Sequence, residues 1–204
     1  MTTIVAVRKN GIVAIAADTL TTFGNTRLAS TMDSSHDKIL HIGDSHVGIC
    51  GSAAHHLVLE NLLGKLPEVK LNSKGEIFET FRKLHPVLKE ECFLNPKEDE
   101  EDPYESSQIT ALIINPSGLY GIYSMREVFE YTQYWAIGSG HEFALGAMLD
   151  AYSRLDNAVD IARIGVEAGI AFDKNSASPV TLYTVDEACH LKAVELNRRT
   201  AQTE

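Results

Sequence analysis

The sequence has little cysteine and no long apolar run. Its three cysteines, Cys50, Cys92 and Cys189, lie far apart, and no two of them form a C-x-x-C pair. This argues against a disulfide framework and a thiolate zinc site, and it fits a reducing cytoplasm. No apolar stretch approaches the ~18 residues that a membrane-spanning helix requires. Near the N-terminus the charges follow the apolar stretch instead of preceding it, so we expect neither a membrane segment nor a secretory signal.

Basic side chains are also scarce. The chain has 18 Lys and Arg against 28 Asp and Glu, which gives a formal net charge of −10. This is the wrong sign for a surface that binds phosphates, so we expect no nucleic-acid partner. A length of 204 residues with 44% hydrophobic content suits one substantial core. Residues 1–204 are therefore predicted to form a single domain.

Motifs for metals and nucleotides are missing. The Gly-Ser-Gly segment at residues 138–140 lacks the third glycine of a G-x-G-x-x-G loop, because position 143 is Phe, and no G-K-[ST] follows. The histidines form no H-E-x-x-H motif and no compact set with carboxylates. Those close together in sequence are His36, His41, His46, His55 and His56. We expect neither a nucleotide nor a metal.

Strand patterns dominate the first fifty residues. Two apolar runs are separated by Asn10-Gly11, a pair that supplies the positive φ values of a tight hairpin turn. The strands predicted here are 3–8, 12–17, 38–42 and 46–50. Helical spacing of apolar residues then predicts helices over 52–65 and 76–90, before the acidic, proline-bounded run at 98–102. That acidic run is expected to be a solvated loop.

The second half of the chain repeats this order. Four further strands are predicted over 109–114, 119–124, 127–132 and 133–138, then helices over 142–154 and 158–172, and final strands over 180–185 and 191–195. Many of these strands are apolar on both faces, which suits sheets buried between another sheet and a helix layer. The order predicts an α+β fold built as a four-layer αββα sandwich.

The position of one threonine suggests a chemistry. Thr2 directly follows the initiator Met1 and begins a buried strand, so removal of Met1 would leave a free α-amine beside the Thr2 hydroxyl. An α-amine has a reference pKa of ~7.7 to 8, so a useful fraction is neutral near neutral pH and one residue supplies both nucleophile and base. On its own, a Thr-Thr start is simply a common and easily processed N-terminus.

Three further residues are predicted to lie near Thr2. Asp18 follows it by sixteen residues, so a hairpin turning at Asn10-Gly11 brings them together. Lys38 begins another strand, and Gly51 ends a strand at a helix N-terminus, where a backbone N–H is available to an anion. Cys50, beside Gly51, lies in an apolar strand and is predicted to be a packing residue.

These features together resemble a known family. The segments TTIVAVRKNGIVAIAADT, DKILHIGDSHVGICGSAAHH and AIGSGHEFALGA are similar to the β-type subunits of the proteasome family, including bacterial HslV and related bacterial proteasome homologues. The likeness implies an N-terminal-nucleophile hydrolase fold and threonine endopeptidase activity. It also implies that no cofactor or metal is needed.

The resemblance assigns roles residue by residue. Thr2 is the nucleophile, Asp18 and Lys38 lower proton affinity at the site, and the Gly51 N–H forms the oxyanion hole. Ser139 hydrogen-bonds the threonine amine, and an Asp-x-x-Ser pair completes the network. That pair is Asp173 and Ser176. The pocket for the side chain before the cut is lined by Thr21, His36, Ile49 and Ala53, and Ile49 suggests apolar or small residues there.

The family likeness also implies an assembly. The chain would form stacked double rings of six or seven identical subunits, which degrade polypeptides delivered by a separate ATPase or through a gated pore. Three features depart from the family pattern: segment 30–37 is a few residues longer, Ala177 replaces a usual glycine, and the acidic run 98–102 has no counterpart in HslV.

Two alternatives use the same fold. An N-terminal-nucleophile amidase acting on small amides would use the same residues. A non-catalytic ring subunit, like the family's α-type members, would not need them, and the presence of Thr2, Asp18, Lys38 and Ser139 argues against it.

Overall fold

The computed structural model describes residues 2–65, 69–97 and 101–187. In these residues strands and helices alternate in blocks, as the sequence predicts. The first block holds β1 (Ile4–Lys9), β2 (Ile12–Asp18), β3 (Thr21–Phe23), β4 (Thr26–Leu28), β5 (Ile39–Ile42) and β6 (Ser45–Cys50), followed by α1 (Ala53–Lys65) and α2 (Lys74–Glu90). The second holds β7 (Thr110–Asn115), β8 (Gly118–Ile122), β9 (Val128–Tyr131) and β10 (Tyr134–Ile137), then α3 (His141–Arg154), α4 (Ala158–Phe172) and β11 (Val180–Asp186).

Two antiparallel sheets face each other. One has the strand order β10-β1-β2-β11, and the other has the order β5-β6-β7-β8-β9. Helices α1 and α2 pack on the outer face of the five-stranded sheet, while α3 and α4 cover the four-stranded sheet. A third apolar cluster lies between the two sheets. The predicted four-layer αββα sandwich is confirmed.

The strands are apolar on both faces because both faces are buried. On β1, Ile4 and Ala6 point into the core between the sheets, whereas Val5 and Val7 pack under α3 and α4. Successive side chains of a strand point to opposite faces, so one strand contributes to two cores. All four residues are fully buried. This double burial fixes the register of β1, since a one-residue shift would exchange its two faces.

The hairpin of β1 and β2 places the first residues of the chain. Asn10 and Gly11 have φ values of 53° and 78°, as the tight turn requires. Ile4 pairs with Ala17, and the Asp18 N–H donates to the Thr3 carbonyl oxygen at 3.1 Å. Asp18 therefore lies opposite Thr3, one residue from Thr2, as the sixteen-residue spacing predicts.

The structure differs from the sequence-based expectations in detail. Helix α2 begins two residues earlier than predicted, because Ser73 caps it by accepting a hydrogen bond from the Glu76 N–H at 3.3 Å. The β3–β4 hairpin was not predicted, since each strand has only three residues and neither contains a fully buried side chain. The strand predicted at 191–195 and residues 98–100 of the acidic run lie outside the described residues. Across the described part of the chain, every helix is too short or too polar to span a bilayer.

The two sheets approach each other closely at a glycine. Gly48 on β6 is buried, and a Cβ atom there would lie 2.9 Å from Ile4 Cγ2 and 3.0 Å from Ile15 Cδ1 on the opposite sheet. Real Cβ atoms essentially never approach another atom to less than 3.0 Å, so an added side chain would displace the Ile4 and Ile15 side chains. Gly48 is also three residues from Gly51, which directly follows the end of β6.

We expect Gly48→Ala to destabilise the fold by about 1–3 kcal/mol, the usual cost of inserting a methyl group into a well-packed core. Urea unfolding at one fixed protein concentration measures this. The control is Gly64→Ala on α1, where no atom lies within 4 Å of the added Cβ and helix propensity favours alanine by about 1 kcal/mol. Equal unfolding midpoints for the two variants would contradict the close approach.

Candidate active site

Thr2 is buried two residues before β1, beneath the loop that joins β10 to α3. Its side chain and backbone together are 4% exposed. The Gly140 N–H donates to the Thr2 carbonyl oxygen at 3.3 Å. Gly138 has a φ of +90°, and a Cβ atom there would lie 2.1 Å from the same oxygen. Only glycine allows the loop to lie this close to Thr2.

Ser139, in this loop, connects Thr2 to a carboxylate. The Thr2 nitrogen donates to Ser139 Oγ at 3.1 Å, and Ser139 Oγ lies 2.6 Å from Asp173 Oδ2. A serine hydroxyl has one proton. That proton is directed to Asp173, because the other acceptor, the Thr2 carbonyl oxygen, is 3.4 Å away. The Ser139 lone pair is therefore available to the Thr2 nitrogen.

A second branch reaches the same carboxylate from Thr3. Ser176 Oγ donates to Asp173 Oδ2 at 2.9 Å, so the 2.7 Å contact between Thr3 Oγ1 and Ser176 Oγ has Thr3 as its donor. The backbone and side-chain N–H groups of Asn175 donate to Asp173 Oδ1 at 3.2 and 3.1 Å. Burial disfavours the ionised Asp173, but these donors outweigh it and hold its pKa below the ordinary value.

Asp18 is a fully buried carboxylate with four hydrogen-bond donors. Oδ1 accepts from the Thr3 N–H at 2.9 Å and from Lys38 Nζ at 2.8 Å. Oδ2 accepts from the Leu20 and Ala177 N–H groups, each at 3.1 Å. Its exposure is 0%. A buried charge is tolerated when it is paired and fully hydrogen-bonded, and Asp18 meets both conditions.

Lys38 is held against Asp18 in a mostly buried position. Its side chain is 12% exposed in the ion pair, and its carbonyl oxygen accepts from the Ile49 N–H at 3.0 Å. Burial lowers the pKa of Lys38 from its ordinary value of 10.5, although the charges of Asp18 and Asp173 act in the opposite direction. Lys38 is thus a cation that loses its proton more readily than an exposed lysine.

The predicted residues meet around one cavity of about 260 Å³. Thr2, Lys38 and Gly51 line it, and Gly51 has a φ of +115° at the turn between β6 and α1. The four residues predicted for the side-chain pocket, Thr21, His36, Ile49 and Ala53, also line this cavity. The structure therefore places every residue singled out from the sequence either on this cavity or in the hydrogen-bond network behind Thr2.

Other lining residues were not predicted. Leu20, Phe23 and Leu28 come from the β3–β4 hairpin or the residue before it. Asp33, Ser35 and Asp37 come from the long segment 30–37, which thus forms part of the cavity wall. Residues from a short, polar hairpin and an irregular segment leave no periodic signal. Thr3 was likewise missed as a member of the network, although its position next to Thr2 and opposite Asp18 could have indicated it.

Cys50 is near the site but is not an activated thiol. Burial raises its pKa to about 11, with the nearby positive charge of Lys38 offsetting only part of this effect. The thiol therefore stays protonated near neutral pH, in agreement with its predicted packing role. In the parts of the chain that the structure describes, no group of three or more His, Cys, Asp and Glu side chains is arranged to hold a metal ion.

Known proteins resemble both the sequence and the fold. A family model described as "Proteasome subunit" matches residues 1–69. Thiobacillus denitrificans BPH in complex with epoxomicin is 39% identical, with a TM-score of 0.84 over 90% of this chain and 98% of that one. A second structure of BPH from the same organism is 40% identical, with a TM-score of 0.85 over 90% of this chain and 97% of that one.

A more distant relative shares the fold. Eukaryotic HslV from Trypanosoma brucei is 22% identical, with a TM-score of 0.65 over 90% of this chain and 99% of that one. No curated protein sequence matches the chain. The chain is 39–40% identical to BPH across almost the full length of BPH, and the family model matches its N-terminal part. The chain belongs to the proteasome subunit family, as a homologue of its β-type and HslV-like members.

Proposed function

We propose that this protein is a threonine-type endopeptidase subunit whose nucleophile is Thr2 after Met1 has been removed. The observation that carries the proposal is the arrangement around Thr2. Its nitrogen lies 3.1 Å from Ser139 Oγ, while Thr2, Lys38 and Gly51 line the same cavity. In the full chain this nitrogen is the amide that follows Met1. Cleavage of Met1 turns it into an α-amine at a position where a hydroxyl acceptor is already present.

The α-amine would act as the base for the Thr2 hydroxyl. An α-amine has a reference pKa of ~7.7 to 8, and the nearby Lys38 cation favours its neutral form. The amine takes the hydroxyl proton, directly or through a water, as Oγ1 attacks the substrate carbonyl. Ser139 holds the amine in place through its lone pair, because its own proton is directed to Asp173.

The rest of the reaction follows from this attack. Negative charge develops on the carbonyl oxygen, and the Gly51 N–H would stabilise it there, an interaction worth roughly two to three orders of magnitude in rate in other enzymes. The C–N bond breaks, the protonated α-amine gives its proton to the leaving amine, and an ester to Thr2 remains. Water then hydrolyses that ester and restores the hydroxyl.

The cavity suggests which side chains fit before the cleaved bond. Ile49 and Ala53 supply an apolar wall, which suits apolar or small side chains, as the sequence indicates. Asp33 adds a carboxylate to the lining. Acidic side chains would therefore be disfavoured by like-charge repulsion.

The enzyme would work as a ring assembly. Family membership supports stacked double rings of six or seven subunits that enclose the sites and receive polypeptides from a separate ATPase. Exposed aromatic side chains support association, because apolar surface of this kind marks interfaces. Phe143 and Phe172 are 43% and 72% exposed, and their rings pack 5.4 Å apart next to Asp173.

The proposal predicts that epoxomicin adds covalently to Thr2 of the purified protein. Intact-mass analysis should show loss of Met1 together with one adduct per chain, located on Thr2 by peptide mapping. Thr2→Ala should remove both the adduct and peptide hydrolysis, because no hydroxyl remains to attack. Hydrolysis should fall by at least about three orders of magnitude, as it does when the nucleophilic serine of a catalytic triad is removed.

The matched control is Thr26→Ala, which removes an exposed threonine of β4 that does not line the cavity. It should keep both the adduct and the hydrolysis rate. A Thr2→Ala protein with undiminished hydrolysis would refute the assignment and make Thr3 the next candidate nucleophile. A wild-type protein that retains Met1 in its own host would refute it as well.

Hydrolysis should decrease on both sides of an optimum pH. On the acid side the α-amine becomes protonated and no longer accepts the hydroxyl proton. On the alkaline side Lys38 loses its proton, and because burial lowers its pKa, this loss occurs below its ordinary value of 10.5. The activating cation is present below that pKa and absent above it.

Profiles of kcat against pH for the wild type and Lys38→Arg measure this effect. A guanidinium keeps its charge in alkaline solution, so the variant should be slower overall but should keep its activity to higher pH. An alkaline limb at the same pH in both proteins would show that Lys38 is not the group that titrates there.

A further inference from the structure

Asp37 precedes Lys38 and makes three hydrogen bonds of its own. Its Oδ1 accepts from the Ile39 N–H at 3.0 Å and from Thr181 Oγ1 at 3.1 Å. Its Oδ2 accepts from the Tyr183 hydroxyl at 2.5 Å. This last hydrogen bond, with burial, raises the pKa of Tyr183 to about 12, so the phenol remains a donor. Asp37 has no part in the mechanism above.

These contacts join the two sheets beside the site. Thr181 and Tyr183 lie on β11, the edge strand of the four-stranded sheet, whereas Ile39 begins β5 of the five-stranded sheet. β11 pairs with β2, and in that ladder Val180 lies opposite Asp18. The hydroxyl side chains that hold Asp37 are therefore on the strand hydrogen-bonded to the strand that carries Asp18.

Lys38 is consequently fixed at both of its ends. Its ammonium is 2.8 Å from Asp18 Oδ1, and its main chain is held between the Asp37 carboxylate and the Ile49 N–H. A lysine side chain has several rotatable bonds, so the position of its ammonium depends on where its main chain is anchored. The irregular segment 30–37 provides no sheet pairing that would replace this anchor.

We propose that Asp37 is a positioning residue, which by binding Thr181 and Tyr183 on β11 holds Lys38 where its ammonium meets Asp18 and acts on Thr2. The proposal rests on the proposed peptidase function. All three donors to Asp37 are neutral, so its role is not to neutralise a cation. Among titratable groups, His46, His56 and Tyr183 interact with it, and Lys38 follows it in the chain.

The experiment compares Asp37→Ala and Asp37→Asn with the wild type, using epoxomicin and a fluorogenic peptide. Asp37→Ala should lower the maximal rate of adduct formation and kcat by roughly ten- to a hundredfold, the cost of a small misplacement of a catalytic group, with little change in KM or inhibitor affinity. Asp37→Asn keeps an oxygen for Ile39 and Thr181, so it should recover part of the rate. Adding Tyr183→Phe to Asp37→Ala should cause little further loss, because both changes remove the same contact.

A readout independent of catalysis is acetylation of Lys38 by acetic anhydride, followed by peptide mass spectrometry. The Lys38 side chain is 12% exposed in the wild type, and it should become more reactive in Asp37→Ala. The control is Tyr152→Phe, which removes a hydroxyl hydrogen bond to the Arg8 carbonyl oxygen far from Asp37 and should change neither readout. If the Asp37→Ala protein does not fold, the Tyr183→Phe variant is compared with the wild type instead. It should show a smaller decrease in adduct rate and kcat, and a smaller increase in Lys38 acetylation.

The outcomes separate this proposal from the proposed function. A wild type that forms no adduct would refute the peptidase assignment, while Lys38 acetylation would still report on the anchor. Wild-type adduct rates and wild-type acetylation in Asp37→Ala would overturn the positioning role. A change confined to KM and inhibitor affinity would also overturn it, since Asp37 would then only shape the cavity wall.

Discussion

The buried carboxylate of Asp18 is the interaction on which the site depends. Its four donors are the Thr3 N–H just before β1, the Leu20 N–H two residues after β2, the Lys38 ammonium and the Ala177 N–H after α4, so one side chain fixes the mutual position of four parts of the chain. A fully buried carboxylate has no water to replace a lost donor. Removal of one partner of such a pair typically costs about 3–5 kcal/mol. Lys38 is therefore held in place by the same charge balance that makes the buried Asp18 tolerable.

Asp173 performs the complementary task with different donors. It accepts only from hydroxyl and amide groups, through Ser139, Ser176 and Asn175, whereas Asp18 accepts from a cation. Neutral donors with a single proton impose a direction on the network, because each hydroxyl that donates to Asp173 turns a lone pair toward Thr2 or Thr3. One carboxylate thus positions a positive charge, and the other positions acceptors. Asp18 is linked to Thr2 through the backbone of Thr3, and Asp173 is linked to it through Ser139.

Much of this arrangement was accessible from the sequence, because it rests on periodic features. The alternation of β1, the turn at Asn10-Gly11 and the helical spacing of α1 each depend on local patterns, and they are sufficient to bring Asp18 opposite Thr3. The contacts of Asp37 and Ser176 were not accessible in the same way. Asp37 meets Tyr183 across 146 residues, and Ser176 meets Thr3 across 173, and nothing in the spacing of such residues indicates that their side chains touch. The β3–β4 hairpin was not predicted for a different reason. Its six strand residues are exposed or half-buried, so their sequence shows no alternation of apolar and polar residues.

Glycine backbones pack directly against the first two threonines. A Cβ atom at Gly138 would lie 2.1 Å from the Thr2 carbonyl oxygen, and one at Gly140 or Gly169 would lie 2.0 or 2.3 Å from Thr3 Oγ1. The backbone of the β10–α3 loop and that of α4 therefore contact Thr2 and Thr3 without intervening side chains.

In the proposed enzyme this close packing has an electrostatic consequence. Asp173 lies behind Ser139 and favours a protonated α-amine, while Lys38 favours a neutral one, and Asp173 is near enough to act on Lys38 as well. Because close packing fixes both charges relative to Thr2, the balance between them, and with it the basicity of the amine, is a property of the folded chain before substrate arrives.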